Sequence, residues 1–178
     1  MQENPMAPSF FDDAGYQDIR NIERSSNMEA ADDRTLRMAY LPVDGPLLDA
    51  LVRYQRAYLT HAEAGQGTEA LGSAHTEALK DSGLDARTTE QGTAMLRAFS
   101  GRRWATRKFQ DKLREVEGAP GPQGEELRKR IREELAKQER ATEALARRYG
   151  PDTLALLRAR EEELLELHTR MTRLLSRG

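Results

Sequence analysis

The spacing of apolar residues after position 45 most constrains what this chain can fold into. From there to the C-terminus, leucines and other apolar side chains recur every three or four residues, and short glycine- or proline-containing segments interrupt the pattern. This period is that of an α-helix, whereas a half-buried strand alternates every two residues. No strand pattern and no internal repeat of roughly 20 to 50 residues is present. The sequence therefore predicts an all-α fold.

The interruptions divide this region into five predicted helices. They span residues 44–64, 68–83, 88–117, 125–149 and 152–176. The last three are about twice as long as the average helix of about 11 to 12 residues. Long helices joined by short loops indicate an antiparallel bundle. We expect a bundle of four to five helices in which the third and fourth form a long coiled-coil-like hairpin across the loop at 118–124.

The fifth predicted helix is the most apolar. It carries two rows of apolar residues, which are Leu154, Leu157, Leu164, Met171 and Leu175 in one and Leu156, Leu167 and Leu174 in the other. Together the rows cover about half of the helix circumference at 100° per residue, so this helix should contact two neighbours. We expect it to organise the bundle.

The first 45 residues differ in composition from the rest. They hold nine acidic residues against four arginines, a net charge of −5. Their apolar residues, which include Phe10, Phe11, Tyr16, Ile19 and Ile22, are scattered. A short helix near residues 28–40 is one interpretation, and an extended or disordered arm is the other. We therefore divide the chain into an acidic, largely irregular N-terminal arm (1–45) and a helical bundle domain (46–178).

Composition and motifs together argue against an enzyme. The chain of 178 residues has a formal net charge of −2 and no cysteine. The missing cysteines exclude disulfides, thiolate metal sites and a thiol nucleophile. There is no phosphate-binding glycine loop, no nucleophile elbow and no Glu-x-x-His pair typical of di-iron bundles. We expect no catalytic residue, metal or cofactor, and the near-neutral charge does not favour specific nucleic-acid binding.

One cluster combines basic and aromatic side chains. Between Arg97 and Arg114 seven basic residues stand against Asp111 alone, a net charge of +6. On a helical wheel Trp104 lies opposite the apolar stripe, with Arg97 and Lys108 beside it. The candidate binding face comprises Arg97, Arg103, Trp104, Arg107 and Lys108. It could bind an anionic partner, or Trp104 could pack on another helix or on the acidic arm, as large aromatic residues usually do.

A second candidate is the polar pair Glu161 and His168 on the fifth helix. The two residues are seven apart and share the heptad seam. They could form a proton-sensitive or metal-binding pair that reaches across the bundle. The alternative is a partly exposed seam or a single hydrogen-bonded histidine, because no second histidine and no carboxylate three or four residues away shares the face of His168.

The function that these features favour is binding. We expect a non-enzymatic scaffold, adaptor or regulatory subunit of bacterial type that acts through helical faces on another protein, or on itself as a homodimer. The charged face of the fourth helix is either a solvated surface or a coiled-coil contact. The alternative function is an envelope-located helical protein that senses a ligand or metal.

Location follows from the start of the chain. Residues 1–13 lack the charged start and apolar stretch of a secretory signal, and no run is apolar enough to span a membrane. We expect a cytoplasmic protein, or a periplasmic or envelope one if a signal peptide has been removed.

The two largest charge imbalances suggest a contact. The arm is acidic, and the surroundings of Trp104 are basic. We hypothesise that the arm lies on the third helix, with Phe10 and Phe11 or Tyr16 covering Trp104, and that an acidic partner displaces it. Exposed ion pairs contribute about 0 to 1 kcal/mol each and weaken with salt, so such docking would be switchable.

Overall fold

The computed structural model describes Ile19, Ile22 and residues 43–177. Residues 43–177 form six helices: α1 Gly45–Ala64, α2 Gly67–Ser82, α3 Ala86–Glu115, α4 Gly121–Tyr149, α5 Pro151–Ala159 and α6 Glu161–Leu175. No strand occurs in the part of the chain that is described. The prediction of an all-α antiparallel bundle with a long helical hairpin is confirmed. The remainder of the predicted arm lies outside the described residues, so its irregular or short-helix character stays a prediction.

Capping residues define two of the helix boundaries. The carboxylate of Asp44 accepts a hydrogen bond from the backbone N–H of Leu47 at 2.8 Å and caps α1. Gly83 ends α2 with φ = 69°, a left-handed conformation that glycine adopts without a Cβ penalty. These two boundaries agree with the sequence pattern.

Two predicted helix starts are wrong by a few residues. The cap of α3 is Asp85, whose carboxylate accepts hydrogen bonds from both the backbone N–H and the hydroxyl of Thr88, whereas the predicted helix begins at residue 88. Helix α4 begins at Gly121 and includes the segment up to Gly124 that was predicted to be loop. Pro122 is compatible with this start because the first helical N–H groups have no partner within the helix.

The predicted fifth helix is divided in two. Arg160 separates α5 from α6, and its N–H donates to the carbonyl of Leu157 in a tighter turn. Its guanidinium holds the break by bonding Asp49 and Glu163. The three residues that follow, Glu161 to Glu163, place negative charge at the start of α6, where the helix dipole favours it.

The main core fills the space between α1, the first half of α3, the end of α4, α5 and α6. Its fully buried members include Leu48, Leu51, Leu59, Met95, Phe99, Leu157 and Leu164. Gly92 brings α3 against α1, since a Cβ there would lie 2.3 Å from Cδ2 of Leu51. Helix α6 packs against both α1 and α3, as its two apolar rows predict. Leu175 is the exception: it is 68% exposed because the last turn of α6 lies at the end of the bundle.

Candidate protein-binding surface

A second apolar cluster lies along the hairpin of α3 and α4, apart from the main core. Its buried wall consists of Ala105 and Phe109 on α3, Val116 directly after α3, and Leu127 and Ile131 on α4. Trp104, Leu113, Ala119 and Leu135 are half-buried against it. We call these nine residues the hairpin groove.

Two residues of the N-terminal region complete this cluster. Ile19 and Ile22, the anchor pair, are both helical and are 0% and 8% exposed. They belong to the same cluster as Phe109 and Ile131. Both side chains therefore contribute apolar surface to the groove cluster. The hairpin groove is therefore occupied by a segment from the other end of the sequence.

A helical hairpin needs such an occupant. Two antiparallel helices bury only the strip along their mutual contact, and an apolar stripe wider than that strip stays exposed. In the main bundle α6 covers this stripe, but α6 begins at Glu161, beside Arg103 and Arg107 of α3. Beyond Glu161 along the hairpin, the anchor pair covers the apolar stripe that α6 covers in the main bundle.

The two apolar clusters are separated by a layer of charged side chains, the polar belt. Glu161 accepts hydrogen bonds from Arg103 and Arg107, the latter at 2.9 Å. Arg103 also donates to Glu139 on α4 at 3.0 Å. Arg158 of α5 donates to Glu139 at 2.9 Å and to Glu143. The belt connects α3, α4, α5 and α6 at the junction of the two clusters.

The belt favours ionised carboxylates. Burial opposes the charge on Glu139, but the hydrogen bond from Arg158 and the charges of Arg158 and Arg103 lower the pKa of Glu139. The hydrogen bond from Arg107 likewise lowers the pKa of Glu162. Ion pairs with Glu161 and Glu162 raise the pKa of the Arg107 guanidinium. These groups stay charged across the physiological range.

The predicted basic-aromatic face is thus divided by the structure. Arg103 and Arg107 point their guanidinium groups at α6 and take part in the belt. Lys108 instead lies with its Nζ 5.7 Å from the centre of the Trp104 ring, a cation–π distance. Arg97 is exposed one turn before Gly101 on the same helix. The five residues do not form one continuous cationic surface.

Trp104 is packed from two directions. Its ring belongs to the groove cluster that contains the anchor pair, and its ring centre lies 6.0 Å from that of His168 on α6. Phe10, Phe11 and Tyr16, which were predicted to cover Trp104, lie outside the described residues. From the N-terminal region the structure describes Ile19 and Ile22, which belong to the cluster against which Trp104 packs.

Glu161 and His168 have different partners. Glu161 bonds the arginines of the belt, whereas the ring of His168 lies beside Trp104 and lines a cavity of about 40 Å³ with Gln55, Thr93, Leu96, Arg97, Ser100, Leu167 and Met171. The hydroxyl of Thr93 is buried there without a hydrogen-bond partner in the described part of the protein. Burial and the charge of Arg97 lower the pKa of His168. The imidazole is therefore neutral at pH 7.

The described residues offer no group of three His, Cys, Asp or Glu side chains that could hold a metal ion. Within residues 43–177, none of the helices is both long and apolar enough to cross a membrane.

Sequence reasoning did not single out the anchor pair. Ile19 and Ile22 were grouped with the scattered apolar residues of the arm. Their three-residue spacing was the available signal, but two residues do not establish a helical period. Only the groove to which they are complementary distinguishes them from their neighbours.

No protein-family model, no curated protein sequence and no solved structure matches this chain. The geometry of the hairpin groove is consequently the basis for a functional proposal.

Proposed function

We propose that this chain is a non-enzymatic helical protein-binding module, and that its binding surface is the hairpin groove. One observation carries the proposal: Ile19 and Ile22 are buried in the groove although they lie far from it in sequence. A groove that accepts one helical segment through two aliphatic side chains can accept a similar segment from another protein. This is the helix-in-groove mode of recognition, in which anchors three or four residues apart fill apolar pockets.

The covalent connection between the anchor pair and the helical bundle supports replacement of the pair by a helix from another protein. Twenty residues, 23–42, separate Ile22 from Val43. Because this connection is covalent, the anchor pair competes with a free partner as an intramolecular ligand. A partner helix displaces the anchor pair when the ratio of its concentration to its dissociation constant exceeds the corresponding ratio for the linked segment.

The proposal is tested with the full-length chain. The variant Ile19→Asp/Ile22→Asp leaves the groove vacant, and a fluorescein-labelled peptide of residues 12–29 serves as the helix supplied in trans. We expect the peptide to bind the variant, and to bind the unaltered chain at least tenfold more weakly because the tethered segment competes. Fluorescence anisotropy measures both dissociation constants.

Two controls make the result specific. The same peptide with both isoleucines changed to aspartate should not bind, since its anchors are lost. A chain that carries Leu175→Asp in addition to the two aspartates should bind like the double variant, because Leu175 is exposed at the far end of α6. Absence of peptide binding to a double variant with native circular dichroism would refute the proposal.

A further inference from the structure

We infer that the helix recognised by the hairpin groove is acidic, and that the chain's own N-terminal segment is a competitor which such a helix must displace. This inference rests on the proposed function and adds the chemistry of the partner and the means of regulation. Three observations on the groove and its occupant support it.

The first observation is a lysine within the groove wall. Lys112 is 7% exposed and follows the three- to four-residue spacing of Phe109 and Val116 along α3. Its ammonium lies 3.4 Å from Glu115, whose side chain is 61% exposed. In such buried surroundings a carboxylate brought close to the ammonium is attracted more strongly than it would be in solvent. A docked helix with a carboxylate beside its aliphatic anchors complements this charge.

The second observation is the rim of the groove near Trp104. The ammonium of Lys108 lies over the indole ring and, among the described residues, has no carboxylate partner. By contrast, Arg103 and Arg107 are neutralised by Glu161 and Glu162 of the polar belt. Positive charge is therefore retained on the groove side of α3, whereas the side that faces α6 is paired.

The third observation is the amino-acid sequence around the anchor pair. Residues 12–29, which flank the anchor pair, contain five acidic residues against two arginines, a net charge of −3. A segment that combines aliphatic anchors with acidic flanks matches a groove that combines an apolar wall with lysines. Because such attraction weakens with salt, docking and displacement should both depend on ionic strength.

The charge of the partner is tested with three peptides of residues 12–29 that keep both isoleucines. One has the natural sequence, one has its five acids replaced by the corresponding amides, and one has them replaced by lysine. Each is titrated into the full-length Ile19→Asp/Ile22→Asp variant at 20 mM and 300 mM salt. We expect at least tenfold weaker binding of the lysine peptide at 20 mM salt, intermediate binding of the amide peptide, and a smaller spread at 300 mM.

The outcomes separate the two proposals. Equal binding of all three peptides at both salt concentrations would overturn the acidic-partner inference and leave the groove as a helix-binding site. Failure of every peptide to bind would overturn the proposed function itself. A Lys108→Gln, Lys112→Gln double change in the same variant should remove the preference for the natural peptide while leaving affinity for the amide peptide within about twofold.

Displacement is tested in the chain with its natural anchors. Because the chain has no cysteine and one tryptophan, a dansyl group on a Ser26→Cys variant forms a unique energy-transfer pair with Trp104. We expect addition of the natural peptide, at concentrations that saturate binding, to reduce the transfer by at least half, and the lysine peptide to leave it unchanged. Bound peptide with undiminished transfer would show that the segment and the peptide occupy different sites, which would overturn the competitor role.

Discussion

The main core and the hairpin groove are built from the same long helices but are closed in different ways. In the main core, α3 and α4 are covered by α5 and α6. These two helices follow α4 directly in sequence, since only Gly150 lies between α4 and α5 and only Arg160 lies between α5 and α6. In the groove, the covering residues are Ile19 and Ile22, which reach it across a connection of 20 residues. The comparison shows that one hairpin is covered in two ways, by helices that follow it directly in sequence and by residues from the N-terminal region.

The polar belt keeps the two regions distinct. Glu161, Arg103 and Glu139 lie between apolar clusters that would otherwise merge along α3 and α4. Charged side chains that are satisfied by one another fix the level at which α6 begins. We therefore expect that the groove beyond this level can lose its cover while the bundle below it stays folded.

The largest effect is expected for Leu164→Asp in the main core. Leu164 is 1% exposed, so the aspartate would be an unpaired charge in an apolar interior. We expect a loss of about 3 kcal/mol or more in the free energy of unfolding. Circular dichroism and the melting temperature measure it, and the exposed Leu175→Asp is the matched control. An unchanged melting temperature would contradict the assignment of α6 as the central helix.

A smaller and local effect is expected for Ile19→Asp/Ile22→Asp. Burial of an isoleucine side chain is worth about 1.5 to 3 kcal/mol, but ordering the tethered segment opposes this gain. We expect hydrogen-exchange protection to fall around residues 105–131 and to persist around residues 48–59 and 157–167. The emission of Trp104 should shift to the red as its cover is lost. Equal loss of protection in both regions would contradict the independence of the two clusters.

A still smaller effect on the free energy of unfolding is expected for Glu139→Gln in the polar belt. Its side chain is 48% exposed, so its pairs with Arg103 and Arg158 should contribute about 1 kcal/mol or less. Because its pKa is lowered by folding, this contribution is present above its ordinary value of 4.5 and is lost as pH falls through the folded value. Denaturant titrations should separate variant and parent at pH 7 and bring them closer at pH 3. A difference that grows as pH falls would contradict this account.

The smallest effect at neutral pH is expected for His168→Leu. The imidazole is neutral in the fold, so leucine should leave the stability at pH 7.5 equal or slightly higher. The parent should lose stability as pH falls below about 6.5, since its unfolded state binds a proton that the folded state resists. The variant should lack that loss between pH 6.5 and 5. A cost of more than about 2 kcal/mol at pH 7.5 would instead show that the imidazole makes a specific bond.

Most of the fold could be predicted from the sequence because its signals are local. The three- to four-residue apolar spacing depends only on helix geometry. Asp44 begins a helix through its side chain, and Gly83 ends one through its backbone conformation. The errors also have local causes. Thr88 and Asp85 are both capable caps, and the capping-box spacing from Thr88 to Gln91 favours Thr88 although aspartate is the stronger cap residue. Pro122 is as suitable for a first helical turn as for a loop.

Less of the candidate site than of the fold could be predicted from the sequence. The basic residues around Trp104 were identified, but their division between the belt and the groove depends on where α6 begins. A break at Arg160 without proline or glycine is invisible in the apolar pattern, because Leu157 and Leu164 keep the same seven-residue spacing across it. The partners of Glu161 and His168 depend on the position of this break, so they could not be predicted either.

By itself the sequence determined that this chain is helical, where most of its helices end, and that its charge is divided between an acidic N-terminal region and a basic stretch of α3. Only the tertiary structure decided that Ile19 and Ile22 lie in the hairpin groove and that Arg103 and Arg107 bond α6 rather than face solvent. The physical reason is range: helix periods and caps act within a few residues, whereas these contacts join residues about 55 to 110 positions apart, whose meeting depends on the packing of every helix between them.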